Sequence, residues 1–203
     1  MIEIVLLLIM LAGYGAYTLK SKTQKRRIAL LGTHLGQYQV EKLMETLTQG
    51  YLRALGEKDA ERQAQVWSFL ATSEQELCDQ FDRFVADFAK VGNEDARVST
   101  FAVFIPEAHR FFPDSTFDMR KLLAVHGQGL RRVATEDLQL SPKARAFMLS
   151  AELFLMQHSC HWYCRSKTVA SGRVRVRHQT SYAQLLASVS VETRQAYAAL
   201  VGP

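Results

Sequence analysis

The stretch IVLLLIMLAGYGAYTL at residues 4–19, followed by KSKTQKRR at residues 20–27, decides the architecture of this chain. The first stretch has no charged side chain, and as a helix it would measure about 24 Å. Because a hydrocarbon core is about 30 Å thick, Met1, Ile2 and a snorkelling Lys20 are needed to complete a crossing. We therefore predict that residues 1–19 form a transmembrane anchor.

The charges that flank the apolar stretch indicate how it is used. Five bases follow it and none precedes it; they are Lys20, Lys22, Lys25, Arg26 and Arg27. A cleaved signal peptide has its bases before the apolar stretch, where this chain has Glu3. The pattern favours an uncleaved anchor, with a signal peptide and a buried core helix as alternatives. By the positive-inside rule, we expect the bulk of the chain on the cytoplasmic side.

The rest of the chain is expected to form an all-α domain. Hydrophobic residues make up 48% of the 203 residues and charged residues 22%, which suits a single packed core and excludes a disordered chain. Three cysteines exclude a disulfide-framed secreted domain. We divide the chain into an anchor at 1–19, a basic juxtamembrane stalk at 20–33 and a domain of about six to eight helices at 34–203.

Apolar periodicity and end signals place the individual helices. The expected helices cover residues 34–55, 58–71, 73–91, 116–136, 142–165, 180–188 and 191–201. Ser73 with Glu76 resembles a capping box that starts the third helix, and Ser115 is expected to cap the fourth. Ser141-Pro142 is a strong start for the fifth. A further apolar helix is expected at residues 94–112, kinked or restarted at Pro106.

Residues 169–178 (VASGRVRVRH) alternate valine and arginine, which is typical of a strand or of an exposed extended loop. In an extended segment, Arg173, Arg175 and Arg177 would project to one side, where their guanidiniums suit phosphate groups. Together with the bases of residues 20–27, we expect them to bind anionic lipid headgroups or an acidic partner, and a solvated loop is the alternative. Because the net charge of +5 comes from local clusters, a nucleic-acid partner is disfavoured.

The segment His158-Ser-Cys160-His161-Trp-Tyr-Cys164 carries the residue types that bind zinc. One helical turn cannot direct four such side chains to one point, because successive positions diverge by about 100°. A zinc site would need further ligands from elsewhere in the fold. We expect buried cysteines and interfacial histidines here, with zinc binding or redox pairing of Cys160 with Cys164 as alternatives.

The chain lacks the sequence motifs of common enzyme classes: the P-loop, the dinucleotide-binding glycine motif, the nucleophile elbow and the HExxH zinc motif. This favours a binding protein over an enzyme. The expected function is a membrane-anchored accessory, scaffold or assembly subunit that binds one or more proteins of a membrane complex. A membrane-tethered metal or redox protein is the alternative, and a hydrolase with a dispersed site is a third. Phe111-Phe112 is expected in the core, with an exposed docking patch as the alternative.

Overall fold

The computed structural model describes residues 2–136 and 138–202, and within them the chain is all-α apart from one two-stranded antiparallel sheet. The helices are α1 (Ile2–Leu35), α2 (Val40–Gly56), α3 (Ala60–Phe88), α4 (Asn93–Ala96), α5 (Ala108–Phe111), α6 (Met119–Thr135), α7 (Pro142–Cys164), α8 (Lys167–His178), α9 (Tyr182–Ser188) and α10 (Val191–Val201). Strands β1 (Arg97–Ser99) and β2 (Thr116–Asp118) pair antiparallel, with Val98 opposite Phe117. The expected all-α class with a long apolar N-terminal helix is confirmed.

Helix α1 runs unbroken for 34 residues, about 51 Å, through both the predicted anchor and the predicted stalk. It is long and apolar enough to cross a membrane, and none of its apolar window is buried by the residues that the structure describes. From Gln24 onward one face packs on the helical body. Gln24 and Leu31 are buried, and His34 Nδ1 lies 2.6 Å from Asp87 Oδ2. The basic segment is therefore a rigid part of the helix.

Helices α3 and α7 both run antiparallel to α1. At the end of α3, the Phe88 ring lies against His34. At the end of α7, Arg165 Nη1 donates to Gln24 Oε1 at 2.8 Å. The segments that follow both helices therefore lie beside residues 24–27 of α1. We call this end of the body the proximal pole, and the opposite end, where α7 begins, the distal pole.

Helix α7 forms the centre of the body. Its sequence is apolar on nearly all sides, which is the pattern of a helix surrounded by others. It contacts α1, α2, α6, α8 and α9, and Leu149, Leu153, Trp162 and Tyr163 are almost completely buried. The predicted start is confirmed, since Ser141 Oγ accepts from Ala144 N at 3.2 Å and Pro142 is the first helical residue.

The predicted helix start at Ser73 is wrong, because α3 is continuous from Ala60 to Phe88. Ser73 and Glu74 are buried in the middle of α3 instead of lying at an end. Glu74 accepts from the Tyr51 hydroxyl at 2.7 Å and forms an ion pair with Arg145 at 3.2 Å. Glu74 of α3 thus contacts side chains of both α2 and α7, and these tertiary contacts override the local capping pattern.

Residues 169–178 are also helical, against the prediction of a strand or extended loop. Ala170 and Val174 are four residues apart and are both buried, on the side of α8 that packs on α7. Ser166 caps the helix by accepting from Val169 N. The alternating valines and arginines therefore lie on a helix, where Val174 is buried and Val176 is exposed.

The region between α4 and α6 differs from the prediction in three ways. Ser115 does not cap α6; Thr116–Asp118 form β2, and Asp118 is the cap, accepting from Arg120 N at 2.9 Å. The expected core pair Phe111 and Phe112 is exposed, by 71% and 46%. Helical structure restarts after Pro106 at Ala108, as expected, but residues 97–105 before it are not helical, against the prediction.

Candidate functional site

An apolar groove of about 720 Å³ opens at the distal pole between α2, the first half of α7 and the turn from α8 to α9. Three large apolar side chains on its rim are exposed to solvent: Leu52 by 73%, Phe147 by 59% and Leu55 by 37%. They lie close together on two packed helices, so they form a continuous patch rather than scattered surface residues. A patch of this kind is typical of a binding surface.

The floor of the groove contains His178, held in one orientation. Its ring stacks on Phe154 with centroids 3.6 Å apart, and Nε2 donates to Gln157 Oε1 at 2.9 Å. Burial, reinforced by the nearby Arg177 charge, lowers the pKa of His178. The imidazole is therefore neutral near pH 7 and adds a flat, largely apolar surface. Hydroxyl groups surround the groove, from Thr48, Ser150, Thr180 and Ser188.

Basic side chains flank this apolar surface. Lys143 is exposed beside Leu55 and Phe147, in a shallow depression continuous with the rim. Arg177 is exposed next to His178 at the other end. Two exposed bases therefore lie near the apolar centre of the groove, which suits an apolar segment with acidic residues beside it.

A serine beside a histidine exists in the core, but it cannot act as a nucleophile. His126 Nε2 lies 2.9 Å from Ser159 Oγ, and Ser159 Oγ donates to the carbonyl of Leu155 at 3.1 Å. With the serine proton on that carbonyl, the histidine donates to the serine, which is the reverse of what a general base does. Both residues are fully buried, so no substrate reaches them. This pair is part of the core of the domain.

The residues of the predicted zinc cluster point in different directions around α7. His158 is buried with Nε2 3.1 Å from Ser171 Oγ and its ring stacked on Tyr182, so it faces α8 and α9. Cys160 is buried towards α1 and α2, 3.9 Å from Met156 Sδ. His161 Nδ1 accepts from Arg173 Nη1 at 3.0 Å. A lone pair engaged by a cation is not available to a metal ion.

The two cysteines of this cluster are protonated in the absence of a metal ion. Burial raises the pKa of Cys164 to about 11 and raises that of Cys160 further, so both are thiols rather than thiolates. All three cysteines are free, and Cys160 and Cys164 form no disulfide. Within residues 2–136 and 138–202, no group of three or more His, Cys, Asp or Glu side chains is placed to hold a metal ion.

The five bases of residues 20–27 divide into two sets. Lys20, Lys22 and Lys25 are exposed. Arg26 binds Asp95 at 2.6 Å, and Arg27 donates to the carbonyls of Arg97 and Tyr163. The lysines therefore remain on the surface while the two arginines fasten α1 to the body.

The three arginines of α8 do not share one side. Helical positions two apart differ by about 200°, so Arg175 faces away from Arg173 and Arg177. Arg173 lies beside Gly32 and Leu35 of α1, and Arg177 is one turn further towards the distal pole. Binding of these arginines to the same membrane leaflet as residues 20–27 stays a prediction.

The residues that line the groove were missed by reasoning from the sequence. The apolar pattern of residues 142–165 does not distinguish the exposed Phe147 from the buried side chains of α7, and nothing in the sequence around His178 marks it as part of a groove. Leu52 offered a usable signal, because the buried side chains of α2 include Leu43, Leu47 and Tyr51 and Leu52 lies off that stripe. A large apolar side chain outside the buried stripe of an amphipathic helix marks a candidate contact surface.

Comparison with known proteins adds no further constraint. No family model, no curated protein and no solved structure matches the chain.

Proposed function

We propose that this protein is a single-span membrane protein whose helical body binds another protein through the distal groove, as an accessory or assembly subunit of a membrane complex. The observation that carries the proposal is the exposed patch of Leu52, Leu55 and Phe147 around the groove. Along α7, Phe147 is about 27 Å from the Arg165 end that contacts α1. A groove so far from the apolar part of α1 is out of reach of lipid tails.

The charge on the rim supports a partner of a particular chemistry. Lys143 and Arg177 flank the apolar centre, so an amphipathic helix with acidic residues beside its apolar face is complementary to it. A second copy of this chain would bring the same positive rim to the interface. Repulsion between two such rims opposes a symmetric dimer through this groove.

Site-specific photo-crosslinking in the native membrane tests the groove. A benzophenone amino acid at Leu52 should give a defined adduct with one other protein. The same group at Glu76, which is exposed on α3 outside the groove, should not. Phe147→Asp should abolish the Leu52 adduct, because a carboxylate would be placed in the apolar centre.

The crosslinked segment then decides the proposal. It should carry an apolar helical face with acidic flanks, and a synthetic peptide of that sequence should bind more weakly to Lys143→Ser and at raised ionic strength. An adduct with a second copy of the chain, with lipid only, or equally from Glu76 would contradict the proposed function.

The orientation in the membrane is a further part of the proposal. The excess of lysine and arginine after the apolar stretch favours a cytoplasmic body, with the other end of α1 on the external side. A membrane-impermeant maleimide applied to intact cells should label Glu3→Cys and leave Glu76→Cys unlabelled. The reverse pattern would place the body outside.

A further inference from the structure

We infer that the proximal pole makes a second contact with the membrane, through the irregular segment 101–105 and the adjoining Phe111-Phe112. We call these residues the proximal apolar segment. The inference rests on the proposed function, since it requires α1 to cross a bilayer. The occupant of this surface is the lipid interface itself, on the side where α1 leaves the hydrocarbon.

The position of the proximal apolar segment is fixed by contacts with both α1 and the end of α7. The Arg27 guanidinium lies over the Phe104 ring at 5.4 Å. The carbonyl of Ala102 accepts from Thr168 N at 3.1 Å and from its hydroxyl at 2.8 Å. Thr168 follows Arg165, which binds Gln24. The segment therefore lies level with residues 24–27 of α1.

The distance along α1 puts this level at the surface of a bilayer. Gln24 is five residues beyond Leu19, where the uncharged apolar stretch ends, and five residues measure about 7 to 8 Å along a helix. The headgroup layer on each side of a bilayer is about 5 to 7 Å thick. In addition, the uncharged stretch 4–19 is about 6 Å shorter than the hydrocarbon core, and the part of this mismatch that Met1, Ile2 and Lys20 do not make up draws the proximal pole closer to the lipid.

The side chains of the proximal apolar segment suit an interface between water and lipid. Val103 is 63% exposed and Phe111 is 71% exposed. Phe112 is 46% exposed, and its ring meets Phe101 edge-on at 5.4 Å. None of these three side chains is buried by the residues that the structure describes. Exposed aromatic and aliphatic side chains level with the end of a membrane helix are typical of an interfacial anchor.

The charges at this pole match a lipid surface. Lys20, Lys22 and Lys25 are exposed on the adjoining turns of α1. Of the nearby carboxylates, Asp95 binds Arg26, and Glu94 and Glu107 share Arg110. Asp114 is exposed beside Phe112, which limits how deep that ring can enter. Val103 should therefore be the most deeply placed residue of the segment.

The test measures the depth of spin labels on the full-length protein in vesicles that contain phosphatidylcholine and phosphatidylglycerol. Labels are attached at Val103→Cys, at Leu8→Cys in the predicted span and at Leu52→Cys as the matched exposed apolar control at the distal pole. Cys164 is replaced by serine, and the buried Cys78 and Cys160 stay unlabelled. Collision with oxygen reports lipid, and collision with a water-soluble nickel complex reports water.

The Val103 label should collide with the nickel complex several-fold less than the Leu52 label, and with oxygen more. If Leu8 is in the hydrocarbon but Val103 is as accessible to nickel as Leu52, the second membrane contact is wrong and the anchor survives. If the Leu8 label is itself accessible to nickel, the predicted membrane span is wrong, and so is the second membrane contact that depends on it.

Discussion

At the scale of single residues, Arg27 does more for the structure than its place in a basic cluster indicates. Its guanidinium donates to the carbonyls of Arg97 and Tyr163 and lies over the rings of Phe104 and Tyr163. These groups come from β1, the end of α7 and the proximal apolar segment. One side chain of α1 thus satisfies two backbone acceptors that no other residue of the helix reaches.

Arg27→Met should lower the free energy of unfolding by about 2 to 3 kcal/mol, because it leaves two carbonyls without a charged donor while keeping an apolar stem. Lys25→Met, at an exposed neighbouring position, should change it by less than about 0.5 kcal/mol. Urea unfolding in detergent, followed by the fluorescence of buried Trp162, measures both. Equal effects of the two variants would contradict the role given to Arg27.

At the scale of helices, two glycines inside helices have opposite roles. A Cβ at Gly129 of α6 would lie 2.6 Å from Glu152 Oε2 on α7 and closer still to Thr193 Oγ1 on α10. Glu152 and Thr193 are both buried and bonded to Ser190, so neither can move aside freely. Gly172 of α8 has nothing within 4 Å of the same position.

Gly129→Ala should therefore destabilise the protein by about 1 to 3 kcal/mol, since α6 must shift away from α7 and α10. Gly172→Ala should stabilise it by up to about 1 kcal/mol through helix propensity alone. Thermal unfolding by circular dichroism should show melting temperatures that move in opposite directions. A shift of the same sign in both variants would contradict the packing of α6.

At the scale of the whole molecule, the buried histidines make stability depend on pH. Burial lowers the pKa of His126 and of His158 to about 3, from an ordinary value of 6.5. Between these values, the unfolded chain binds protons that the folded chain excludes. The stabilising effect of each neutral histidine is complete above pH 6.5 and is lost as the pH falls towards 3. Burial raises the pKa of Glu74 and of Glu152, and that effect has the opposite sign.

His158→Gln, which can still bond to Ser171, isolates one histidine from these opposing effects. Relative to the wild type, the variant should lose less stability on acidification, by about 1 kcal/mol per pH unit between pH 6 and 4. Unfolding free energies measured over that range provide the comparison. Parallel pH profiles for the two proteins would show that His158 is protonated in the folded state.

Exposed apolar surface lies at two opposite ends of the helical body. The proximal apolar segment lies beside the basic turns of α1, and the groove with Leu52 and Phe147 lies at the other end of α7. Helix α1 packs on the body from Gln24 onward, beside the proximal apolar segment. Under the proposed function, the groove would hold the bound protein about 27 Å along α7 from the end that meets α1.

The sequence by itself determined the features that depend on neighbours within one or two turns. The uncharged apolar stretch makes a long exposed helix, Ser141-Pro142 starts α7, and the period of Leu77, Phe81, Phe84 and Phe88 marks the buried face of α3. Capping and amphipathic periodicity act locally, so they can be read without knowing the fold.

Only the tertiary structure decided the features that depend on distant partners. Ser73 lies inside α3 because Glu74 is held by Tyr51 and Arg145, and residues 169–178 are helical because Ala170 and Val174 pack on α7. Likewise, Phe147 is exposed and Gly129 is required because of elements far along the chain. Burial is a property of the packed helices together, so it can override a local signal and leave an apolar side chain free for another molecule.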